Sequence, residues 1–177
     1  MTPANLVTLS RIPGALIAAW CLLQAPPLLI AALVAVIYCE ISDALDGMVA
    51  RATKQTSALG AMLDPMADSL ARLLIFASFL ALGWISYWVM ACFVVRDVGV
   101  AYARIYGAQA GLAVGARLSG KVKAVAQGAA IIGIVAVAAF NWPHADVWRL
   151  WLGWMAALVT LWSLADYVGH FVMRRKP

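Results

Sequence analysis

Six apolar runs, at roughly 5–23, 27–50, 58–82, 85–106, 120–140 and 147–172, occupy nearly all of a 177-residue chain. A helix needs about 20 residues to cross the hydrocarbon core of a bilayer, and in lipid its backbone polar groups must be satisfied within the segment. Each run is therefore expected to be a transmembrane α-helix, and residues 1–177 a single all-α membrane domain. The composition agrees: 65% of residues are hydrophobic and 12% charged, with a mean hydropathy of +0.90, whereas soluble domains are nearer half apolar. The breaks at "QAPP", "RATKQTS", "LGWIS", "GAQAGLAVGARLSG" and "FNWPHADVW" are rich in Gly, Pro or polar residues, as connections are. Arg11 and Pro13 interrupt the first run. The expectation there is a short interfacial N-terminal helix, Thr2 to Arg11, bending at Pro13-Gly14 into a shorter span.

Charge placement gives orientation. Arg51, Lys54, Arg104, Arg117, Lys121, Lys123, Arg174, Arg175 and Lys176 fall on one side of the expected bilayer, against Arg149 alone on the other. Lys and Arg concentrate in cytoplasmic connections, so both termini are expected in the cytoplasm, in an inner membrane if the source is bacterial. Tryptophans 84, 88, 142, 148 and 151 gather at the opposite side, as an interfacial aromatic belt does. This clustering also explains the net charge of +5 without nucleic acid. Cys21, Cys39 and Cys92 lie inside apolar runs with no CxxC spacing, which reads as buried small hydrophobes.

Against this background four aspartates stand out. Asp43 and Asp46 are three apart and share a helix face with Ala50; Asp64 and Asp68 are four apart on the next run, with Gly60 one turn earlier on the same stripe. A short connection would make these helices antiparallel neighbours, so the four carboxylates can converge near the cytoplasmic surface. Crowded carboxylates at low dielectric repel each other. Protonation or divalent cations relieve this, and all-oxygen ligands suit Mg²⁺, Mn²⁺ or Ca²⁺. The plainer alternative is that the aspartates pair with arginines, with Arg51 and Arg72 within reach, and simply tie helices together. Gly47 and Gly60 allow either close ligand approach or close helix packing.

The spacing D-x2-D-G-x2-A-R-x8-G-x3-D-x3-D, met by Asp43, Asp46, Gly47, Ala50, Arg51, Gly60, Asp64 and Asp68, resembles the signature of the CDP-alcohol phosphotransferase family. The resemblance implies six spans, a cytoplasm-facing site, a homodimer and dependence on Mg²⁺ or Mn²⁺, as two ions. By the same resemblance Asp43, Asp46, Asp64 and Asp68 would be metal ligands, and Asp68 also the general base on the acceptor hydroxyl. Gly47, Ala50, Arg51 and Gly60 would line the CMP part of a CDP-diacylglycerol. "NLVTLSR" resembles the family's N-x2-T-x2-R entry segment, which implies that Asn5 and Thr8 lie near the nucleotide; as residues they equally suit a helix cap.

A second basic set could hold an anionic head group: Arg96 and Arg104, eight apart on one face, with Arg117, Lys121 and Lys123. For Arg96, an ion pair with Asp97, Glu40 or Asp166 is the alternative, since an arginine inside the bilayer needs a partner or a ligand. "VRDVGVAYAR" and "GARLSGKVKAVAQ" resemble stretches of the bacterial subgroup whose acceptor is sn-glycerol 3-phosphate, although many of its members carry Lys where this chain has Ser69. The resemblance implies transfer of a phosphatidyl group from CDP-diacylglycerol to glycerol 3-phosphate, giving phosphatidylglycerol phosphate and CMP. Inositol phosphate, serine or another polar alcohol are the other acceptors open within the family. A divalent-cation or proton transporter fits less well, because the acids gather on one side of the bilayer.

Overall fold

The computed structural model describes the backbone of residues 3–53, 58–109 and 118–173, and side chains within 10–42, 65–109 and 118–170. Six helices and no strands occur among the described residues: α1 Pro3–Leu22, α2 Leu29–Thr53, α3 Ala58–Ala81, α4 Tyr87–Gln109, α5 Leu118–Ala139 and α6 Ala145–Met173. Three connections fall at the Pro- and Gly-bearing breaks expected from the sequence; the α2–α3 and α4–α5 connections lie outside the described residues.

The N-terminus differs from expectation. The interfacial helix and the first span are one helix, α1, with Pro13 inside it. Proline removes one helical hydrogen bond, but packing supplies what the missing bond loses. The Pro13 ring is exposed, while Gly14 lies against α2 so closely that a methyl there would stand 2.9 Å from Cys39 Sγ. α1 packs along both α2 and α3, which leaves it no room to bend.

Helix ends follow local chemistry. Gly83, at φ 69°, closes α3: its N–H donates to the Leu80 carbonyl at 3.0 Å, and Trp84 N–H donates to Phe79 at 2.8 Å. This is the Schellman pattern, and the hydrophobic contact that accompanies it is the stacking of Phe79 on Trp84, 5.7 Å between centroids. Asn141 does the same for α5 at φ 49°, with Trp142 N–H donating to Val137 at 3.1 Å. The guanidinium carbon of Arg149 sits 4.5 Å from the Trp84 ring centre, so the α3–α4 turn and the start of α6 meet at one end of the bundle, where the tryptophans collect.

α5 packs on α6 and α2, α4 packs on α6, and α3 makes lesser contacts with α4 and α5. The core is filled by Leu22, Val36, Phe76, Phe79, Phe93, Ile131 and Ile134, with Phe76 and Phe93 joining α3 to α4 at 4.3 Å. Large apolar side chains also cover the outside, among them Trp20, Val34, Trp88, Tyr102, Val125 and Trp162. Exposed apolar surface on every helix is costly in water and natural in lipid. Leu118–Ala139 and Ala145–His170 are long and apolar enough to cross a membrane, and the molecule is an all-α membrane protein.

Inside and outside apolar positions should respond differently. Phe76→Ala is expected to lower stability in detergent by about 3–5 kcal/mol through the cavity it leaves, and Val125→Ala by less than about 0.5 kcal/mol. Reversible unfolding by denaturing detergent checks both, and equal losses would contradict the assigned core.

Candidate active site

Charged and polar side chains are buried where the helices cross, and they fall into two groups. The first joins α1, α2 and α3. Arg11 of α1, 3% exposed, forms an ion pair through Nη1 with Oδ1 of Asp68 on α3. Asp68 is the less buried partner, its side chain 27% exposed, so one carboxylate edge is open to a ligand while the arginine fixes the other. One turn further along α3, Arg72 donates from Nε and Nη2 to the two carboxylate oxygens of Glu40 on α2, at 3.2 and 3.0 Å. This is the two-pronged geometry that guanidinium and carboxylate planes favour. Arg11, Cys39, Glu40, Asp68 and Arg72 line a cavity of about 10 Å³, close to the room one water needs.

The second group joins α4, α5 and α6. Asp97 accepts from Arg96 Nη1 at 2.9 Å and from Lys123 Nζ at 2.8 and 3.1 Å. Arg96 Nη2 also donates to Ser163 Oγ of α6 at 3.2 Å, and Ser119 Oγ donates to Asp166 at 2.5 Å. Arg96, Asp97 and Lys123 are each less than a tenth exposed. Two cations here share one carboxylate, and Nε of both Arg96 and Arg104 is buried without a partner among the described residues. The Arg96–Asp97–Lys123 contact thus has one more cation than acid and spare donors, properties that suit an anionic group, while the second acid of the group, Asp166, is engaged by Ser119.

The sequence-predicted residues divide accordingly. Asp68 lies beside α1 rather than against α2 alone, because α1 packs on both aspartate-bearing helices. Asp43, Asp46, Gly47, Ala50 and Arg51 lie on the α2 backbone, Gly60 and Asp64 on that of α3, and Asn5 and Thr8 on that of α1; the side chains of all nine are outside the described residues, as is the whole of Arg117. Among the described residues no three acids, histidines or cysteines come together as a metal-binding group. Arg96 and Lys123 are brought together on Asp97, Arg104 is half-buried two turns further along α4, and Lys121 is exposed.

Arg11 belongs to the "NLVTLSR" segment, and nothing in the sequence alone assigns it a role in the site. Glu40 and Arg72 are expected from the sequence only as ion-pair partners, of Arg96 and of the aspartates respectively, and the structure pairs them with each other instead. Glu40 and Arg72 extend the two acidic stripes by one turn, at three residues before Asp43 and four after Asp68. That continuation of each stripe was the available signal.

Comparisons with known proteins identify the family. The family model described as CDP-alcohol phosphatidyltransferase matches residues 1–162. Among curated proteins, the chain is similar to the CDP-diacylglycerol–glycerol-3-phosphate 3-phosphatidyltransferase of Shigella flexneri serotype 5b (strain 8401), at 31% identity over 76% of this chain and 75% of the relative. It is similar to proteins of the same name from Yersinia enterocolitica serotype O:8 / biotype 1B, at 30% identity, and Yersinia pestis (strain Pestoides F), at 29%, each over 75% of this chain and 73% of the relative. With the family model covering most of its length and a relative 31% identical over three quarters of both chains, the chain belongs to the CDP-alcohol phosphatidyltransferase family, whose members are membrane transferases of phospholipid synthesis.

Proposed function

We propose that this protein transfers the phosphatidyl group of CDP-diacylglycerol to a hydroxyl of sn-glycerol 3-phosphate, forming phosphatidylglycerol phosphate and releasing CMP. The observation that carries the acceptor reading is the Arg96–Asp97–Lys123 cluster, where two buried cations share one carboxylate. A phosphate monoester on the acceptor would complete that charge balance, whereas a neutral alcohol would not. The printed names of the relatives favour the same acceptor.

The chain's own residues suit the chemistry. Asp68 is held by Arg11 from one side and receives the proton of the acceptor hydroxyl as that oxygen bonds to the lipid-side phosphorus and the bond to CMP breaks. Arg11 keeps the Asp68 carboxylate oriented. Arg96 and Lys123, with Arg104 and the more exposed Lys121, hold the acceptor's phosphate and so place its hydroxyl. Gly47, Ala50, Arg51 and Gly60, with Asn5 and Thr8, are assigned to the CMP portion. The all-oxygen set Asp43, Asp46, Asp64 and Asp68 fits a hard divalent ion, and Mg²⁺ or Mn²⁺ held there supplies neutralisation of the crowded phosphate oxygens. Six spans, with both termini and the site on the cytoplasmic side of a bacterial inner membrane, complete the reading through the distribution of lysines and arginines.

The test is a purified preparation given CDP-diacylglycerol, Mg²⁺ and a panel of polar alcohols, with lipid products weighed by mass spectrometry. The expected product is phosphatidylglycerol phosphate; a product from serine or an inositol phosphate alone would reassign the acceptor. Asp68→Asn is expected to slow CMP release by about 10²–10⁴-fold, the usual contribution of a general base, while binding of CDP-lipid persists. Near-normal turnover in this variant removes Asp68 from the role. Arg104→Ala should raise the apparent KM for the phosphorylated acceptor by about tenfold or more, the value of a hydrogen bond to a charged group, and leave that for CDP-lipid little changed. Equal changes in both constants would assign Arg104 to structure instead.

A further inference from the structure

Glu40 and Arg72 form a two-pronged buried pair to which the reaction proposed above gives no role. Their place in the bundle is distinctive. Arg72 is one turn beyond Asp68 on α3, so any shift of Arg72 along or around that helix moves Asp68 with it. Its guanidinium grips Glu40 of α2 with both prongs. Glu40 in turn lies directly on Gly128 of α5: a methyl at 128 would overlap the carboxylate, with Glu40 Cδ only 2.7 Å away. Five residues before Gly128, about 7.5 Å along α5 at 1.5 Å per residue, stands Lys123 on Asp97.

α3 and α5 have little direct contact of their own compared with α2 against α5. The polar link between them is the sandwich of Arg72, the Glu40 carboxylate and the bare backbone at Gly128, which acts beside the apolar Phe76–Phe93 contact of α3 with α4. One end of this link carries the base and the other carries the phosphate cluster.

We propose that Glu40, Arg72 and Gly128 form a spacer that fixes the distance from the Asp68 carboxylate to the Arg96–Lys123 cluster, making them positioning residues that set the length of acceptor the enzyme uses. An acceptor is productive when its phosphate reaches the cluster while its hydroxyl reaches Asp68, and a displacement of about 1 Å is enough to cost about a hundredfold in rate. The inference rests on the acceptor reading above. Ranking alcohols with unaltered protein tests that reading by itself; the spacer is then tested with the shortest and longest phosphorylated alcohols that the unaltered protein accepts, glycerol 3-phosphate and inositol phosphate being the first probes.

Two variants act on the spacer differently. Gly128→Ala forces the Glu40 carboxylate off α5 and widens the gap. Glu40→Leu combined with Arg72→Met removes the pair and leaves no uncompensated charge, an exchange that buried ion pairs usually tolerate without loss of folding. Steady-state kinetics in detergent is expected to show the ratio of kcat/KM between short and long acceptor falling by about tenfold or more in both, with the apparent KM for CDP-diacylglycerol unchanged. Arg72→Lys, which keeps the charge and loses the fork, should fall between them and the unaltered protein. If the folded double variant and Arg72→Lys keep the ratio within about twofold, or lose rate equally on both acceptors, the pair is a structural tie and the spacer is wrong.

Discussion

Buried cations need counter-charges, and in this bundle three of them draw theirs from another helix. Arg11 reaches from α1 to Asp68 on α3, Arg72 from α3 to Glu40 on α2, and Lys123 from α5 to Asp97 on α4. Breaking such a pair by removing one partner leaves a charge stranded at low dielectric, a loss of about 3–5 kcal/mol. Apolar packing between membrane helices has little preference for one rotation over another, because lipid tails are as apolar as leucine. Charge pairing does have that preference. Rotation of each helix about its axis is therefore set largely by these few contacts, and the site geometry follows from them.

The two polar groups differ in a way that suits a two-substrate reaction. Around Asp68 and Glu40 each described carboxylate has an arginine, and Asp68 keeps an accessible edge. Around Asp97 two cations share a single acid. A carboxylate with an open edge in the same bundle as a cationic cluster suits such a reaction, the one able to accept a proton and the other to hold an anionic reactant. α2 and α3 bring the halves into one frame, since α2 packs on α5 and α3 on α4.

Much of this was legible in the sequence. Helix number and most boundaries follow from apolar runs of membrane-spanning length and from Pro, Gly and Asn at their ends, because those signals are local. The acidic stripes follow from three- and four-residue spacing. The continuity of α1 through Pro13 was not legible: it depends on Gly14 meeting Cys39 across a helix interface. The partner of Arg72 was equally hidden. Proximity along the chain offered the aspartates, but Gly128, some fifty residues beyond Arg72, makes the space in which Glu40 can lie. Arg96 illustrates the middle ground, since its neighbour Asp97 is an obvious partner and its second contact, Ser163, lies two helices on.

The central chemical claim is that an acceptor hydroxyl, deprotonated at Asp68, attacks the lipid-side phosphorus directly. Glycerol 3-phosphate carrying ¹⁸O in its free hydroxyls tests it in one measurement. Direct attack places the label in the bridging oxygen of the lipid product and leaves the released CMP unlabelled. Label in CMP, or a lipid product whose bridge carries ordinary oxygen, contradicts it.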